Sequence, residues 1–430
     1  MKPRTAAAVV ALCVVAAACA SDDPTTGEPA DATPGGDQVV DGEETADEPG
    51  AENVDGDASS TPDADLIPDD ALIIGAIIDR TGIMRTLDEP ALEAARIQVA
   101  RINEQGGVLG RPLVLEEFDS RSQLNASFQA AQELVDDGAE LLFVTCDFEF
   151  ARPAIEVAAE AGVLVLSPCG GTSAWGDPAI GGPHVFSFAM PSASEGTLMA
   201  DYVLERYGSL VTMIVDATDP DAQAQCSGFE ERFREQGGSF RGRLEVDIES
   251  APELQENVGA LVRTSFTLPS AVVLCSSPTV GKDIVLYLRR SGLESVIVAG
   301  STMDGDDWIV DVERTGEMVV LSYASVYGDD PDPAVADLFA EYAVLVGAPP
   351  EQGRPVTGAD AIQAFALAAE RAGTLELGEL IAELERFDNQ QLVAGTVTFD
   401  SASHLSARSM RLIEIVDDQP GFLSIIEPGK

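Results

Sequence analysis

Four cysteines inside the chain carry its most reactive side chains, and their positions favour oxidation to two disulfide bonds. Cys146 and Cys169 each follow a short apolar run, so both are expected at the ends of strands. Cys275 ends another such run, and Cys226 lies in the loop region after a further one. An even number of cysteines favours bridges in a chain that is exported to an oxidising compartment. The predicted pairs are therefore Cys146 with Cys169 and Cys226 with Cys275.

The sequence contains few residues in the patterns that a metal site or a catalytic site would require. Zinc sites combine Cys and His at short spacings, but no Cys-x-x-Cys is present and the only histidines are His184 and His404. A serine hydrolase would show Gly-x-Ser-x-Gly, and the nearest approach, GTSAW at residues 171–175, lacks the last glycine. We therefore expect no metal, no cofactor and no catalysis, with an exported α/β hydrolase as the enzymatic alternative.

The N-terminal region predicts export and attachment to a lipid. Two basic residues precede the uncharged apolar stretch 6–18, which is too short to span a bilayer as a helix. The small residues directly before Cys19 resemble the lipobox of bacterial lipoproteins, in which the cysteine thiol receives a diacylglycerol. Residues 1–19 are therefore predicted to be a lipoprotein signal peptide with Cys19 as the lipidated residue. An ordinary signal peptide with an incidental cysteine is the alternative.

The next segment, residues 20–70, is rich in Asp, Glu, Pro, Gly, Ala and Thr and contains no Lys or Arg. Such a composition cannot bury enough apolar surface to offset its ordering entropy. We predict a disordered acidic tether with an end-to-end distance of roughly 35 to 42 Å. The folded part would then be held clear of the membrane, on the outer face of the bacterial cell membrane.

The net charge bounds the possible partners. The chain has 25 Lys and Arg against 74 Asp and Glu, a formal net charge of −49. A surface of this sign repels phosphate groups, which argues against nucleic acid and anionic lipid head groups as partners.

The folded part, from residue 71 onward, alternates short apolar strands with amphipathic helices. This order is typical of an α/β fold with a parallel sheet covered by helices on both faces. One series runs from residue 72 to 188, with its first helix predicted at 90–104, and a second series begins after Pro191. Three late helices suggest that the chain returns to complete the first lobe. Two doubly wound lobes would form a cleft at the carboxyl ends of their strands, where such folds bind ligands.

The order of local motifs resembles that of the branched-chain amino-acid (Leu/Ile/Val) binding proteins, the type I periplasmic binding proteins that feed ABC importers. Residues 75–107 are similar to the family's first strand, ligand loop and helix ending in "INxxGG". The sequence VLVLSPCGG at residues 163–171 is similar to "GILxISPxAT", residues 333–350 to a helix ending in "YxxxxGxxP", and GTVTFD at residues 395–400 to "GxxxFD". The resemblance covers essentially all of residues 71–430.

This resemblance implies two lobes joined by three crossovers near Met190, Ser322 and Ala394. The N-terminal lobe would comprise residues 71–190 plus 324–394, and the C-terminal lobe residues 191–323 plus 395–430. Ligand binding would close the lobes by hinge motion, and the closed form would dock on permease subunits.

The resemblance also implies ligand contacts on the first lobe, where hydroxyls, backbone N–H groups and helix N-termini hold a carboxylate. The matching positions follow two strands, and a further position lies in the loop where some members place an aromatic lid. These residues are Asp147, Phe148, Cys169, Gly170, Gly171 and Thr172, with Leu87 at the lid position. The alternatives are a plain glycine-containing loop and, for Leu87, a core residue at the helix start.

On the second lobe the sequence departs from the family. The aromatic positions that wall the ligand side chain are Gln225 and Ser277, and the acidic position that pairs the ammonium is near Thr302, with Asp304 two residues on. Asp304 could replace the missing acid, or it lies in an exposed turn. We therefore expect a polar, amide-like or cationic ligand rather than a branched-chain amino acid.

The resulting prediction is a monomeric, lipid-anchored, extracytoplasmic binding protein that captures an amino acid or related small molecule and delivers it to an ABC importer. A ligand-binding sensor subunit without transport is the alternative, because the same lobes serve both roles.

Overall fold

The computed structural model describes residues 68, 70–177, 181–246, 251–264, 269–312 and 314–429. The predicted signal peptide, its lipidation residue Cys19 and nearly all of the predicted tether lie outside the described residues. Within these ranges, no helix combines the length and the apolar character that crossing a bilayer requires.

The first lobe is built on a parallel five-stranded sheet with the strand order β2-β1-β3-β4-β5. Its central strands are almost continuous runs of Leu, Ile, Val and Phe, because helices cover both faces of the sheet. The strands are β1 (Leu72–Ile78), β2 (Leu113–Asp119), β3 (Leu141–Val144), β4 (Leu164–Ser167) and β5 (Val185–Ser187), and the helices between them are α1 (Arg85–Glu104), α2 (Leu124–Asp136) and α3 (Phe148–Ala161).

The second lobe is built on a seven-stranded sheet with the order β15-β14-β10-β9-β8-β6-β7. The five strands β6 to β10 are parallel, and β14 and β15 add an antiparallel edge. The strands are β6 (Leu210–Asp216), β7 (Ser239–Val246), β8 (Ala271–Cys275), β9 (Val296–Ala299), β10 (Met318–Ser322), β14 (Met410–Val416) and β15 (Gln419–Ile426), and the helices are α4 (Ser192–Arg206), α5 (Pro220–Glu235), α6 (Ala251–Thr264) and α7 (Pro278–Arg290). These two lobes confirm the predicted fold class.

The chain returns to the first lobe after β10. The returning elements are α8 (Pro333–Val346), α9 (Val356–Ala372), α10 (Leu377–Leu384) and a small antiparallel sheet of β11 (Gln390–Leu392), β12 (Gly395–Phe399) and β13 (Ser406–Arg408). Residues 361–399 share one apolar core with β1, β3, β4 and β5.

The last passage between lobes lies later than the boundary at 394/395 that the sequence suggested. Phe399 of β12 packs edge-on against Phe186 and Phe188 of the first lobe, with ring centroids 5.0 and 5.2 Å apart. The chain enters the second sheet only at β14, immediately after Ser409. The "GTVTFD" strand therefore belongs to the first lobe, because its aromatic side chain fills that lobe's core.

Each sheet has one switch point, where the direction of strand addition reverses. In the first sheet it lies between β1 and β3, and in the second between β6 and β8. The crevice outside the carboxyl ends of the strands at a switch point is the usual ligand site of open α/β sheets.

Both predicted cysteine pairs form disulfide bonds. The Cα atoms of Cys146 and Cys169 are 4.9 Å apart, and those of Cys226 and Cys275 are 5.8 Å apart. These distances lie in the range that a disulfide spans. The first bridge joins the loops after β3 and β4, and the second ties α5 to the end of β8.

Candidate ligand-binding site

Two buried carboxylates, Asp79 and Asp88, organise the first-lobe switch point. Asp79 directly follows β1, and its carboxylate accepts hydrogen bonds from three backbone N–H groups of the turn at residues 81–84. Asp88, in the first turn of α1, accepts from the backbone N–H of Asp79 at 3.0 Å and of Cys146 at 2.9 Å. Burial raises the pKa of Asp88 from 3.8 to about 6. These bonds hold the ends of β1 and β3 together.

The loops after β3 and β4 carry the half-buried polar groups of the first lobe. Asp147 caps α3 by accepting a hydrogen bond from the Phe150 N–H at 3.1 Å. The carbonyl of Gly171 accepts from the backbone N–H of Ser192 at 3.2 Å, which links this loop to the start of α4. Within the described ranges, the N–H groups of Gly171 and Thr172 have no acceptor. This loop therefore offers free donors at the edge of the lobe.

Asp216 marks the switch point of the second lobe, because it is the last residue of β6. Its Oδ1 accepts hydrogen bonds from the N–H and the hydroxyl of Thr218 at 3.0 and 2.7 Å. Its Oδ2 is buried and has no hydrogen-bond partner in the part of the chain that the structure describes. Asp219 caps α5, and burial raises the pKa of its carboxyl. This edge of the second lobe is acidic.

The loop after β9 brings Thr302 close to the end of β8. The hydroxyl of Thr302 donates to the carbonyl of Ser276 at 2.9 Å. The next residue, Ser277, precedes α7 and caps it without a side-chain hydrogen bond, so its hydroxyl is not used there. Both side chains are half-buried. The loops after β8 and β9 thus present neutral hydroxyls.

Asp304 of the same loop connects the two lobes. Its carboxylate accepts hydrogen bonds from the Ser322 hydroxyl at 2.7 Å, the Gly353 N–H at 2.8 Å and the Gly305 N–H at 2.9 Å. Gly353 precedes α9 of the first lobe. Burial raises the pKa of Asp304 from 3.8 to about 6, which these hydrogen bonds and the charge of Arg354 partly offset. Both oxygens of Asp304 are occupied by the protein itself.

Glu195 forms a second polar junction beside the first crossover. Its carboxylate accepts from the Gln225 amide at 2.9 Å, the Ser301 N–H at 3.2 Å, the Ser301 hydroxyl at 2.7 Å and the Tyr323 hydroxyl at 3.2 Å. Burial raises the pKa of Glu195, and the positive charge of Arg354 opposes that shift. Four hydrogen bonds supply the pairing that a buried carboxylate requires.

Two arginines of the first lobe hold the ring of Tyr323. The guanidinium carbons of Arg354 and Arg408 lie 5.1 and 5.3 Å from the ring centroid. Arg354 also donates to the Ser301 hydroxyl at 3.0 Å, and Arg408 forms a buried ion pair with Asp360 at 2.6 Å. The loop after β9 is therefore bonded to the first lobe through both Asp304 and Ser301.

The structure divides the predicted ligand residues into two groups. One group is half-buried at the carboxyl edges of the two sheets: Leu87, Asp147, Gly171, Thr172, Ser277 and Thr302. The other group is buried in internal contacts: Phe148, Cys169, Gly170, Gln225 and Asp304.

The buried group has clear structural partners. Phe148 packs edge-on against Trp175 with centroids 5.3 Å apart, and a Cβ atom on Gly170 would lie 2.2 Å from that indole ring. The Cys169 sulfur is bonded to Cys146, and Gln225 binds Glu195. The only potential metal ligands that cluster among the described residues are Asp88, Cys146 and Cys169, and the bond between the two sulfurs leaves no thiolate for an ion.

The model of the periplasmic binding protein family matches residues 72–420. The chain belongs to this family. A curated relative, the Leu/Ile/Val-binding protein homolog 3 of Brucella melitensis, is 22% identical over 346 residues, which are 80% of this chain and 91% of the relative.

Solved structures of the family share the fold. One is a putative branched-chain amino acid ABC transporter protein from Rhodospirillum rubrum, with a TM-score of 0.71 and 21% sequence identity. The alignment covers 82% of this chain and 100% of that protein's chain. Another is a solute binding protein from Rhodopseudomonas palustris BisB5 in complex with 3,4-dihydroxy benzoic acid, with a TM-score of 0.67 and 18% sequence identity. The alignment covers 84% of this chain and 98% of that protein's chain.

Sequence reasoning missed two groups of residues: Asp79 and Asp88 at the first switch point, and Glu195, Ser301, Tyr323 and Arg354, which connect the lobes. One signal was available, because Asp79 directly follows the apolar run of β1 and a carboxylate at a strand end is a usual site residue. The contacts described for Glu195, Ser301, Tyr323 and Arg354 give no local signal, because they span 30 to 128 residues of the sequence. Asp88 bonds Asp79, 9 residues away, and Cys146, 58 residues away.

Proposed function

We propose that this protein is an extracytoplasmic lipoprotein that captures a small polar solute between its lobes and delivers it to an ABC importer. The proposal includes export by residues 1–19, lipidation at Cys19, an acidic tether to residue 70 and a monomeric state. Binding and release are the whole of this role, and no bond of the ligand is broken.

The observation that carries the proposal is the bonding of the loop after β9 to the first lobe. Asp304 accepts from Gly353, and Ser301 accepts from Arg354, so a loop at the edge of the second cleft wall is tied to the opposite lobe. A ligand that contacts this loop acts directly on groups that fix the relative position of the lobes. Such a connection is what a closing binding protein requires.

The half-buried edge residues are the proposed ligand contacts. The N–H groups of Gly171 and Thr172 and the hydroxyls of Thr172, Ser277 and Thr302 would bind the polar groups of the solute, with Asp147 and Leu87 at the rim. Phe148, Gly170, Cys169, Gln225 and Asp304 would support the contacts from below. The name of the Brucella relative supports an amino acid or a related compound as the solute.

A thermal-melt screen tests the binding role. Protein without residues 1–19 is unfolded and refolded to remove bound ligand, and is then melted with amino acids, amides, polyamines, urea and short peptides. A ligand at a hundred times its dissociation constant adds about 2.7 kcal/mol to stability, which corresponds to a shift of a few degrees. Melting curves that no compound shifts would argue against the proposal.

The anchor is tested by fractionation of cells that express Cys19→Ala or Cys13→Ala protein. Cys19→Ala should move the protein from the membrane to the soluble extracytoplasmic fraction. Cys13→Ala is the matched control, because it removes the other cysteine of the same region, and it should leave the protein in the membrane fraction. Equal behaviour of the two variants would exclude Cys19 as the anchor.

A further inference from the structure

The first lobe fills three of its backbone anion sites with its own carboxylates. Asp79 takes the N–H groups of the turn at residues 81–84, and Asp88 takes the N–H pair at the switch point. Asp147 occupies the N-terminus of α3, a place where a helix favours negative charge. A ligand carboxylate would find these donors engaged and would lie close to three like charges.

The basic side chains beside this edge do not cancel that charge. The guanidinium of Arg80 lies 3.5 Å from the Glu117 carboxylate, and Arg121 lies 3.8 Å from the Asp119 carboxylate. Arg80 thus shares Glu117 with Arg96, and Arg121 is paired with Asp119. Among the described residues, neither arginine forms an ion pair with Asp79, Asp88 or Asp147.

The second lobe repeats the arrangement at its own switch point. Asp216 ends β6 there and is only 1% exposed. Its Oδ2 is the unusual atom: it is a buried carboxylate oxygen without a hydrogen-bond partner among the described residues. A buried carboxylate oxygen costs free energy unless it is paired, so a positively charged N–H group of a ligand is the natural partner. Asp219, which caps α5 close by, adds to the negative charge.

The first residues after β4 and β8 differ from these, because residues 168–172 and 276–277 include no acid. They present the free N–H groups of Gly171 and Thr172 and the hydroxyl of Ser277. These are neutral groups that suit a carbonyl or amide oxygen.

We propose that the cleft takes an organic cation without a free carboxylate, namely an amine or an amino amide, whose charged nitrogen binds Asp216 and whose carbonyl binds the Gly171 loop. This inference rests on the proposed function and names the chemical class of the ligand. It contrasts with the ligand in the Rhodopseudomonas structure, which is a carboxylic acid by name.

The first experiment compares each amino acid with its amide and with the amine that lacks its carboxylate. Full-length protein in mild detergent is refolded from denaturant and titrated by calorimetry with Leu, Gln, Arg and Lys, with the amide of each, and with the amine left by removal of each carboxylate. The amides and amines should bind at least about tenfold more tightly than the acids, a difference of about 1.4 kcal/mol. Acids that bind as tightly as their amides would overturn this inference and leave the proposed function intact. No binding by any member would overturn both.

Asp216→Asn isolates the cation contact. The asparagine oxygen can still accept from Thr218, so the strand end keeps its local hydrogen bonds. Affinity for the best amine should fall at least about tenfold, the usual effect of losing a hydrogen bond to a charged group. Asp337→Asn, at an exposed position of α8, is the matched control and should leave affinity unchanged. An Asp216→Asn protein with full amine affinity would remove Asp216 from the site.

Asp88→Ala tests the filled anion site without any knowledge of the ligand. The variant frees the N–H groups of Asp79 and Cys146, so formate should bind in place of the lost carboxylate. Formate at ten times its dissociation constant should raise the melting temperature by about 2 °C over sodium chloride of equal ionic strength. The wild-type protein should show no such difference. If formate and chloride act alike on the variant, the assignment of this site fails.

Asp88→Asn provides the same test if the alanine variant does not fold. It keeps the side-chain shape but removes the charge beneath the cleft, so the preference for an amide over its acid should fall roughly tenfold. A preference equal to that of the wild-type protein would overturn the role of Asp88.

Discussion

At neutral pH the buried carboxyl of Asp304 should destabilise the fold, and Asp304→Asn measures by how much. Asp304 is 4% exposed, and burial raises its pKa from 3.8 to about 6. The folded chain therefore binds this proton more readily than the unfolded chain does. The resulting stabilisation is fully present below the unfolded pKa and is lost as the pH rises through about 6.

The magnitude follows from the two pKa values. Between pH 4.5 and pH 7.5, a carboxyl with a pKa of 3.8 unfolded and about 6 folded contributes a change of about 2 kcal/mol in the free energy of unfolding. Asparagine does not titrate, yet its oxygen, at the position of Oδ2, can still accept from the Gly353 N–H and the Ser322 hydroxyl. The stability of the wild-type protein relative to Asp304→Asn should therefore improve by about 2 kcal/mol on going from pH 7.5 to pH 4.5. The buried Asp88 titrates in both proteins, and its effect cancels.

The assay is urea unfolding at four pH values, followed by tryptophan fluorescence. Trp308 is a suitable probe, because its indole N–H donates to the Met303 carbonyl at 3.2 Å, next to Asp304. Asp306→Asn is the matched control, because Asp306 is an exposed acid of the same loop. A wild-type advantage over Asp304→Asn that stays constant from pH 4.5 to pH 7.5 would refute the reasoning.

Three further predictions concern stability. Replacing both Cys226 and Cys275 with serine should lower the free energy of unfolding by about 4 kcal/mol, because the bridge closes a loop with a sequence separation of 49. Urea unfolding without reductant would measure this loss. Arg408→Met should cost about 3 to 5 kcal/mol in the same assay, because it leaves a fully buried carboxylate without its partner. Gly196→Ala should lower the melting temperature, because the new Cβ atom would lie 1.9 Å from a backbone oxygen of α5. The Cβ atom of Gly378→Ala would meet no atom within 4 Å, so this variant should be stabilised by about 0.5 to 1 kcal/mol through its higher helix propensity.

Each of these predictions has a clear opposite result. Free thiols in the unreduced, unfolded protein would exclude the second bridge. Arg386→Met breaks an exposed ion pair with Glu383 and should lower the free energy of unfolding by less than about 1 kcal/mol. An equal loss on Arg408→Met would show that burial of the Arg408–Asp360 pair does not raise its contribution to stability. A Gly196→Ala protein that melts like the wild type would mean that α4 and α5 can move apart at no cost.

The sequence predicted the lobes and the disulfide bonds because both leave local signals. Parallel strands buried on both faces are uninterrupted apolar runs, and the cysteines directly follow such runs. The start of α1 left no such signal. Pro90 suggested a helix beginning at that residue, but the helix begins at Arg85. The difference arises because Asp79, from β1, accepts the N–H of Met84 and so fixes the turn before the helix.

The site was predictable only in part, for the same reason. Loop residues after the strands, such as Gly171 and Ser277, could be proposed as ligand contacts because a strand end is visible in the sequence. The contacts that join the lobes were not, because Ser301 and Arg354 meet across 53 residues and Glu195 and Tyr323 across 128. Asp304 illustrates the limit, since its sequence context suggested a ligand contact or an exposed turn and its actual partners include Gly353, 49 residues away.

The late return of the chain to the first lobe constrains the order in which this protein can assemble. The core of the first lobe combines residues 72–188 with residues 361–399, and the second sheet takes its edge from β14 and β15 near the C-terminus. On a growing chain, the first lobe must wait roughly ten seconds or more for its missing helices at ordinary rates of synthesis. The first lobe is complete only after β13 has been made, and the second only after β15. A chain that is cut short near residue 390 would therefore lack part of both lobes at once and would be a ready substrate for proteases, so that only full-length molecules would persist.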